Sequence, residues 1–258
     1  MTDWTAFAVG VGLLTAALLF LTHRSRRTLD RVRIVGVDEP AGAVSEPAAA
    51  DPPRPVLTTR ALLANVAVSQ ALALAALAAL AWWTEVPAAA FGLAPDAATP
   101  RLLAVGAVAG VLLYLGNEAA AALARRAGYS PSTRLREAMA PTTRGEWGLL
   151  LGVVVPVIAA TEEAAFRGAL VGALAVGLGL DPWLLVAGSS VAFGLGHGAQ
   201  GRLGVAVAAL LGAALGALFV ATGSLPAVVV AHYVVDALEF GVREGLGREP
   251  FSDEAASR

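Results

Sequence analysis

The sequence predicts an all-α protein, a bundle of helices that crosses a membrane several times. The chain has 258 residues, 57% of them hydrophobic, and the apolar residues fall in runs of about twenty, which is the length of a membrane span. Segments inside a bilayer must satisfy their own backbone hydrogen bonds, so these runs are expected to be helices. A third observation is that the run from Trp147 to Leu180 is apolar except for Glu162, Glu163 and Arg167.

About seven runs are long enough to cross a bilayer, and two of them, 183–200 and 225–241, are short for that purpose. The helix count leaves an eighth helix open. The predicted spans are 4–22, 61–83, 102–123, 147–179, 183–200, 202–222 and 225–241.

The run 147–179 is too long for one perpendicular span. About 33 residues of helix measure roughly 50 Å, against a hydrocarbon core of about 30 Å. Strong tilt, or a kink near Pro156, would accommodate the excess length. Thr143 and Glu146 have the spacing of a capping box, which predicts that the helix begins there. Residues 128–145 have the length for a short interfacial helix before it.

Five parts follow one another along the chain. Residues 1–22 are expected to form an N-terminal membrane anchor helix, because no basic residue precedes the run and no small-residue cleavage site follows it. Residues 23–60 form a cytoplasmic linker that is rich in arginine and proline and too poor in apolar residues to fold alone. Residues 61–145 are expected to form accessory transmembrane helices and a loop. Residues 146–245 are expected to form the helix bundle that carries the reactive side chains, and residues 246–258 a cytoplasmic tail.

Loop arginines predict the orientation. All 18 basic residues are arginine. With the N-terminus outside, only Arg101 falls in an outer loop, so we expect a multi-pass cell-membrane protein whose N-terminus is outside and whose C-terminus is cytoplasmic. The formal charge of −2 offers no basic surface for nucleic acid. The chain has no cysteine, which excludes disulfides, thiolate zinc sites and a cysteine nucleophile.

Three charges in the run 147–179 point to a functional site. A charge at the centre of a membrane helix costs about 2.5–3.5 kcal/mol, so such residues are rare and face the bundle interior. Glu163 and Arg167 are four residues apart and can form an ion pair on one helix face. Glu162 is rotated by about 100° from Glu163, and this pair leaves it without a partner.

Two later apolar helices carry further polar residues. His197 follows Phe193 by four residues, and Asp236 follows His232 by four. Residues four apart project from one face of a helix. Three helices are thus able to direct Glu162, His197, His232 and Asp236 to one point.

This set fits two kinds of chemistry, and the residues alone leave both open. A carboxylate and a histidine in an apolar surrounding suit general-base activation of water, and a second polar pair suits stabilisation of an oxyanion. Two histidines and a carboxylate with one open position also form a hydrolytic zinc site. In that case the ligands come from the same four residues, Glu162, His197, His232 and Asp236.

Three motifs resemble those of a known family. The segments EEAAFR (162–167), FGLGH (193–197) and HYVVD (232–236) are similar to EExxxR, FxxxH and Hxxx(N/D) of the CPBP family. These are the CAAX-protease and bacteriocin-processing, Abi-like intramembrane proteases. The resemblance covers about 145–245. It implies an endopeptidase that hydrolyses a peptide bond in a membrane-associated protein or peptide, with prenylated CAAX-type proteins among the substrates.

The resemblance also implies roles. Glu162 and His197 would activate the water, and His232 with Asp236 would stabilise the oxyanion. Structural or substrate-orienting roles would fall to Glu163, Arg167 and Phe193. Family members have been described both as metalloproteases and as metal-free, glutamate-dependent enzymes, so zinc is an open cofactor. Where the family has asparagine, an ionised Asp236 only accepts hydrogen bonds; it is therefore protonated, orients His232 or binds a metal.

Two other functions are compatible with buried charges. A proton- or ion-coupled transporter would use the same carboxylates as relays, and a catalytically silent scaffold would retain only the fold. Inverted repeats would favour the transporter, and the sequence contains none that we recognise. Loss of the glutamate or histidine positions would favour the scaffold, and all are present. The partners expected are the lipid bilayer and the substrate; the sequence does not indicate an oligomeric state.

Overall fold

The computed structural model describes residues 1–29, 33–34, 56–129 and 132–248. This part of the chain contains eight helices and one parallel pair of two-residue strands, β1 (Arg33–Ile34) and β2 (Val56–Leu57). The all-helical fold class is confirmed. Much of the expected linker 23–60 and of the tail 246–258 lies outside the described residues. The helices are α1 (Trp4–Leu29), α2 (Thr59–Trp83), α3 (Pro100–Arg126), α4 (Arg134–Met139), α5 (Arg144–Leu178), α6 (Pro182–Gly196), α7 (Gly201–Thr222) and α8 (Leu225–Gly245, with a π-helical last turn).

Six of these helices are long and apolar enough to cross a membrane: α1, α2, α3, α5, α7 and α8. The chain is therefore an integral membrane protein. The fifth predicted span, 183–200, corresponds to α6, which has only 15 residues and measures about 22 Å, less than a hydrocarbon core of about 30 Å. The short helix expected within 128–145 is α4.

Side-chain caps start several of these helices. The side chains of Thr99, Asp181 and Ser224 accept backbone N–H hydrogen bonds at the starts of α3, α6 and α8, and a proline follows each cap in the first turn. Proline is suited to this position because its missing N–H would have no partner there. The capping box of α5 is confirmed, since Thr143 Oγ1 accepts from the Glu146 N–H at 3.2 Å and Glu146 Oε2 accepts from the Thr143 N–H at 3.1 Å.

The long helix α5 is continuous but not uniform. It contains two π-helical stretches, Leu150–Val154 and Ala164–Ala173. The first ends just before Pro156, where a wider turn accommodates a residue that has no N–H to donate and whose ring crowds the preceding turn. The second begins directly after Glu163, and π-helical turns of this kind are frequent at functional sites.

Close helix contacts bring the polar residues together. α8 packs against both α3 and α5, and α6 packs against α7 and the second π-helical stretch of α5. Gly106 and Gly110 of α3 lie against the backbone oxygens of Ala227 and Ala231 of α8. Glycine allows this approach because a Cβ at either position would meet those oxygens.

Candidate active site

Three helices supply the site residues that the sequence predicts. α5 carries the two glutamates and the arginine, α6 ends in the FGLGH motif, and α8 carries the last histidine and aspartate. The residues are Glu162, Glu163, Arg167, Phe193, His197, His232 and Asp236.

Glu163 joins α5 to α8 through a single oxygen. Its Oε1 accepts a hydrogen bond from Arg167 Nη1 at 2.8 Å and another from His232 Nδ1 at 2.6 Å. The side chains of Glu163 and Arg167 are 0% exposed, and that of His232 is 4% exposed. The pairing of Glu163 with Arg167 agrees with their spacing. The bond from His232 was not foreseen, because nothing in the sequence specifies which faces of α5 and α8 meet.

Arg167 has further partners that compensate its burial. Nη2 donates to the Gly212 carbonyl of α7 at 2.9 Å, and Cζ lies 4.6 Å from the ring centroid of Phe193. A buried guanidinium is tolerated when charges, hydrogen bonds and aromatic faces replace water. Arg167 thus fixes α5 against both α6 and α7.

Phe193 lies at the centre of the motif residues. Its ring centroid is 4.6 Å from that of His197, 6.0 Å from that of His232 and 5.2 Å from that of Phe166. Edge-to-face and tilted contacts of this kind favour one relative orientation of the rings. Phe193 therefore contacts the rings of both histidines.

The second nitrogen of His232 faces two carboxylates. Because Nδ1–H donates to Glu163, Nε2 is directed toward Asp236 Oδ2 at 3.5 Å and Glu162 Oε2 at 3.9 Å. These are longer than direct hydrogen bonds. The Glu162 and Asp236 side chains are 18% and 24% exposed, so both are more accessible than Glu163.

Glu162 has an acceptor atom that nothing in the fold uses. Its Oε2 is buried and has no hydrogen-bond partner among the described residues. Oε2 of Glu163 is also buried without a hydrogen-bond partner among the described residues, but the Glu163 side chain is 0% exposed while that of Glu162 is 18% exposed. Of the two unpaired oxygens, that of Glu162 therefore belongs to the side chain that water can reach more easily.

His197 occupies the C-cap of α6, where its Nδ1–H donates to the Phe193 carbonyl at 2.8 Å. This bond leaves Nε2 of the neutral ring as the acceptor. The structure connects His197 to the other motif residues through the ring of Phe193. The cap position follows from the early end of α6, which the sequence prediction placed at residue 200.

The residues do not fit a metal centre as they are arranged. In the described part of the chain, no group of three or more His, Asp or Glu side chains is placed to hold a metal ion. The four candidate ligands lie on three helices. The mechanism that we propose for these residues therefore uses carboxylates and imidazoles alone.

One comparison with known proteins gives a match. The family model described as type II CAAX prenyl endopeptidase, Rce1-like, matches residues 145–238. This range contains all seven motif residues and agrees with the resemblance drawn from the three motifs. No curated protein and no solved structure matches the chain.

Proposed function

We propose that this protein is an intramembrane endopeptidase, since residues 145–238 match the Rce1-like type II CAAX prenyl endopeptidase model and the chain has six apolar helices of spanning length among its described residues. Its substrates are membrane-associated proteins or peptides with a prenylated C-terminal CAAX segment. The observation that carries the mechanism is the environment of Glu162 Oε2. This atom is buried, has no hydrogen-bond partner among the described residues and lies 3.9 Å from His232 Nε2.

Glu162 acts as the general base. Its carboxylate accepts a proton from a water molecule, and the water oxygen attacks the carbonyl carbon of the scissile peptide bond. His197 holds the same water through Nε2, because its Nδ1–H is committed to the Phe193 carbonyl. When the tetrahedral intermediate collapses, the C–N bond breaks and the proton on Glu162 passes to the leaving amine.

His232 stabilises the oxyanion as an imidazolium. Its Nδ1–H donates to Glu163, so only a proton on Nε2 allows it to donate to the oxyanion. The carboxylates of Glu162, Glu163 and Asp236 lie within 3.9 Å of the ring nitrogens of His232, and Arg167 pairs with Glu163 alone among them. A cationic ring balances this excess of negative charge. In this arrangement Asp236 supports the ring and does not contact the oxyanion.

A cleavage assay on a matched peptide pair tests the proposal. The purified protein is reconstituted in liposomes with two C-terminal peptides that differ only in prenylation of the cysteine, and the products are identified by mass spectrometry. We expect the wild type to release the residues after the cysteine from the prenylated peptide, while Glu162→Gln releases none. Equal cleavage by both proteins would exclude Glu162 as the base. Equal cleavage of both peptides would exclude prenyl recognition.

A further inference from the structure

The short helix α4 contacts both halves of the candidate site from outside it. It follows α3 in the chain and packs through Ala138 and Met139 into an apolar cluster with Leu62, Leu63 and Phe240. α4 contributes none of the three motifs. Its polar contacts nevertheless reach the loop after His197 and the helix that carries His232 and Asp236.

The first contact holds the loop after His197. The Ser132 N–H, two residues before α4, donates to the Gln200 carbonyl at 3.2 Å, and the Gln200 N–H donates to the His197 carbonyl at 2.9 Å. This loop is rich in glycine, and a Cβ on Gly198 would meet nothing within 4 Å in the described part of the chain. Glycines leave a backbone weakly constrained, so the bond from Ser132 restricts the position of His197.

The second contact holds α8 just beyond Asp236. Arg136 Nη1 donates to Glu239 Oε1 at 3.0 Å, and Arg136 Nε donates to Glu244 Oε1 at 2.8 Å. The three side chains are 18%, 30% and 17% exposed, so solvent screens them only in part. Burial alone would lower the pKa of Arg136, yet its contacts with the two glutamates raise that pKa above the usual value. Glu239 lies three residues after Asp236, less than one helical turn away.

We propose that Arg136 is a positioning residue for the reaction: it holds α4 against α8 while Ser132 holds the loop, and this sets the separation of His197 from His232 and Asp236. The inference rests on the proposed function, because it gives Arg136 a part in the same hydrolysis. His197 binds the water and His232 the oxyanion. A change of about 1 Å in such a separation lowers a rate by as much as about 100-fold.

Arg136→Gln removes the contact with both glutamates and leaves the motif residues unchanged. Glu137→Gln is the matched control, since Glu137 is on the same helix, is exposed, and accepts a hydrogen bond from Thr133 within the same segment. We expect Arg136→Gln to lower kcat by about 10- to 100-fold with KM and Tm close to wild type, and Glu137→Gln to leave all three unchanged. The double variant Glu239→Gln/Glu244→Gln should reproduce the defect, and adding Arg136→Gln to it should lower kcat no further.

A distance measurement provides a readout that does not need activity. The chain has no cysteine, so spin labels at Gly198→Cys and Leu246→Cys report only the separation of the loop from the end of α8. We expect one narrow distance distribution in the otherwise wild-type protein and in Glu137→Gln, and a broader or displaced one in Arg136→Gln.

The outcomes separate this inference from the proposed function. A labelled Arg136→Gln protein with an unchanged distribution overturns the inference, as does an unchanged kcat or a loss of kcat that only follows a fall in Tm. If the wild type cleaves no prenylated peptide, the proposed function fails, and the distance distributions still decide whether Arg136 sets the separation.

Discussion

Glu163 determines the geometry of the site, because one of its oxygens accepts hydrogen bonds from both Arg167 and His232. The first bond neutralises a buried charge, and the second fixes which nitrogen of His232 faces Glu162 and Asp236. The adjacent Glu162 shares neither bond. We therefore propose different roles for these two neighbouring carboxylates, positioning for Glu163 and chemistry for Glu162. Variants at the two positions should separate stability from activity.

Arg167→Ala should destabilise the protein strongly, since it leaves the Glu163 carboxylate buried and unpaired, which costs about 3–5 kcal/mol. Replacement of the pair by apolar residues, Glu163→Leu with Arg167→Met, should restore much of the Tm. That double variant should remain inactive because His232 Nδ1 then has no acceptor. Thermal unfolding in detergent and peptide cleavage measure the two effects.

Glu162→Gln is the control for this pair, with a Tm expected near that of the wild type and no cleavage. The assignment of Glu163 and Arg167 to positioning, and of Glu162 to chemistry, is wrong if Arg167→Ala is as stable as the wild type and yet inactive. The arginine would then act on the substrate or in the reaction.

The contacts that could be predicted from the sequence join residues close together in the chain, and those that could not be predicted join residues far apart in it. The pairing of Glu163 with Arg167 followed from a spacing of four on one helix, and the capping box at Thr143 was equally local. The bond from His232 to Glu163 joins residues 69 apart, and it depends on the rotation of two helices. Two further ion pairs are equally long-range, since the structure pairs Glu118 with Arg243 and Glu239 with Arg136.

At the level of helices, the contact between α3 and α8 sets where His232 lies. Gly106 and Gly110 let α3 approach the backbone of α8 at Ala227 and Ala231, in the turn that leads to His232. The small-residue spacing of the two glycines predicts a close contact, although it does not name the partner helix. The π-helical stretches of α5 have no sequence signal of comparable strength. Only Pro156 indicated that this helix would depart from regular geometry.

Gly110→Ala should weaken the contact between α3 and α8. A Cβ at this position would lie 2.6 Å from the Ala231 carbonyl oxygen and 2.7 Å from Val234 Cβ, and overpacking of this kind costs about 1–3 kcal/mol. Gly116→Ala is the matched control on the same helix, since its Cβ would meet no atom of the described residues within 4 Å. We expect a lower Tm and lower activity for Gly110→Ala alone. Equal Tm values for the two variants would contradict the packing described.

At the scale of the whole molecule, two groups of paired charges connect the helices that carry the site to their neighbours. One is the buried group around Glu163. The other is at the end of α8, where Arg243 forms two hydrogen bonds with Glu118 of α3 and Arg136 reaches across from α4. The distribution of loop arginines predicts that this end is cytoplasmic. The orientation is a proposal that the fold itself does not test.

Cysteine labelling tests that orientation. Ser45 and Ser252 lie outside the described residues, in the predicted linker and tail. The predicted orientation, with the N-terminus outside and the C-terminus inside, requires an odd number of spans, so α6 must cross the membrane in addition to the six longer helices. Cysteines introduced at the two positions in turn should then react with a membrane-impermeant reagent only after the cytoplasmic face is opened. Labelling of the two from opposite sides would mean that an odd number of spans separates them, as when only the six longer helices cross. Labelling of both from outside would reverse the orientation.

Cleavage of a prenylated peptide in the presence of a chelator tests the central claim most directly, because that claim assigns water activation to Glu162 and His197. Release of the C-terminal fragment is followed by mass spectrometry for the wild type, Glu162→Gln and His197→Ala, each with and without chelator. The account predicts that the wild type cleaves equally in both conditions and that neither variant cleaves in either. Activity of the wild type that is lost with chelator and restored by zinc, or cleavage by Glu162→Gln, would contradict it.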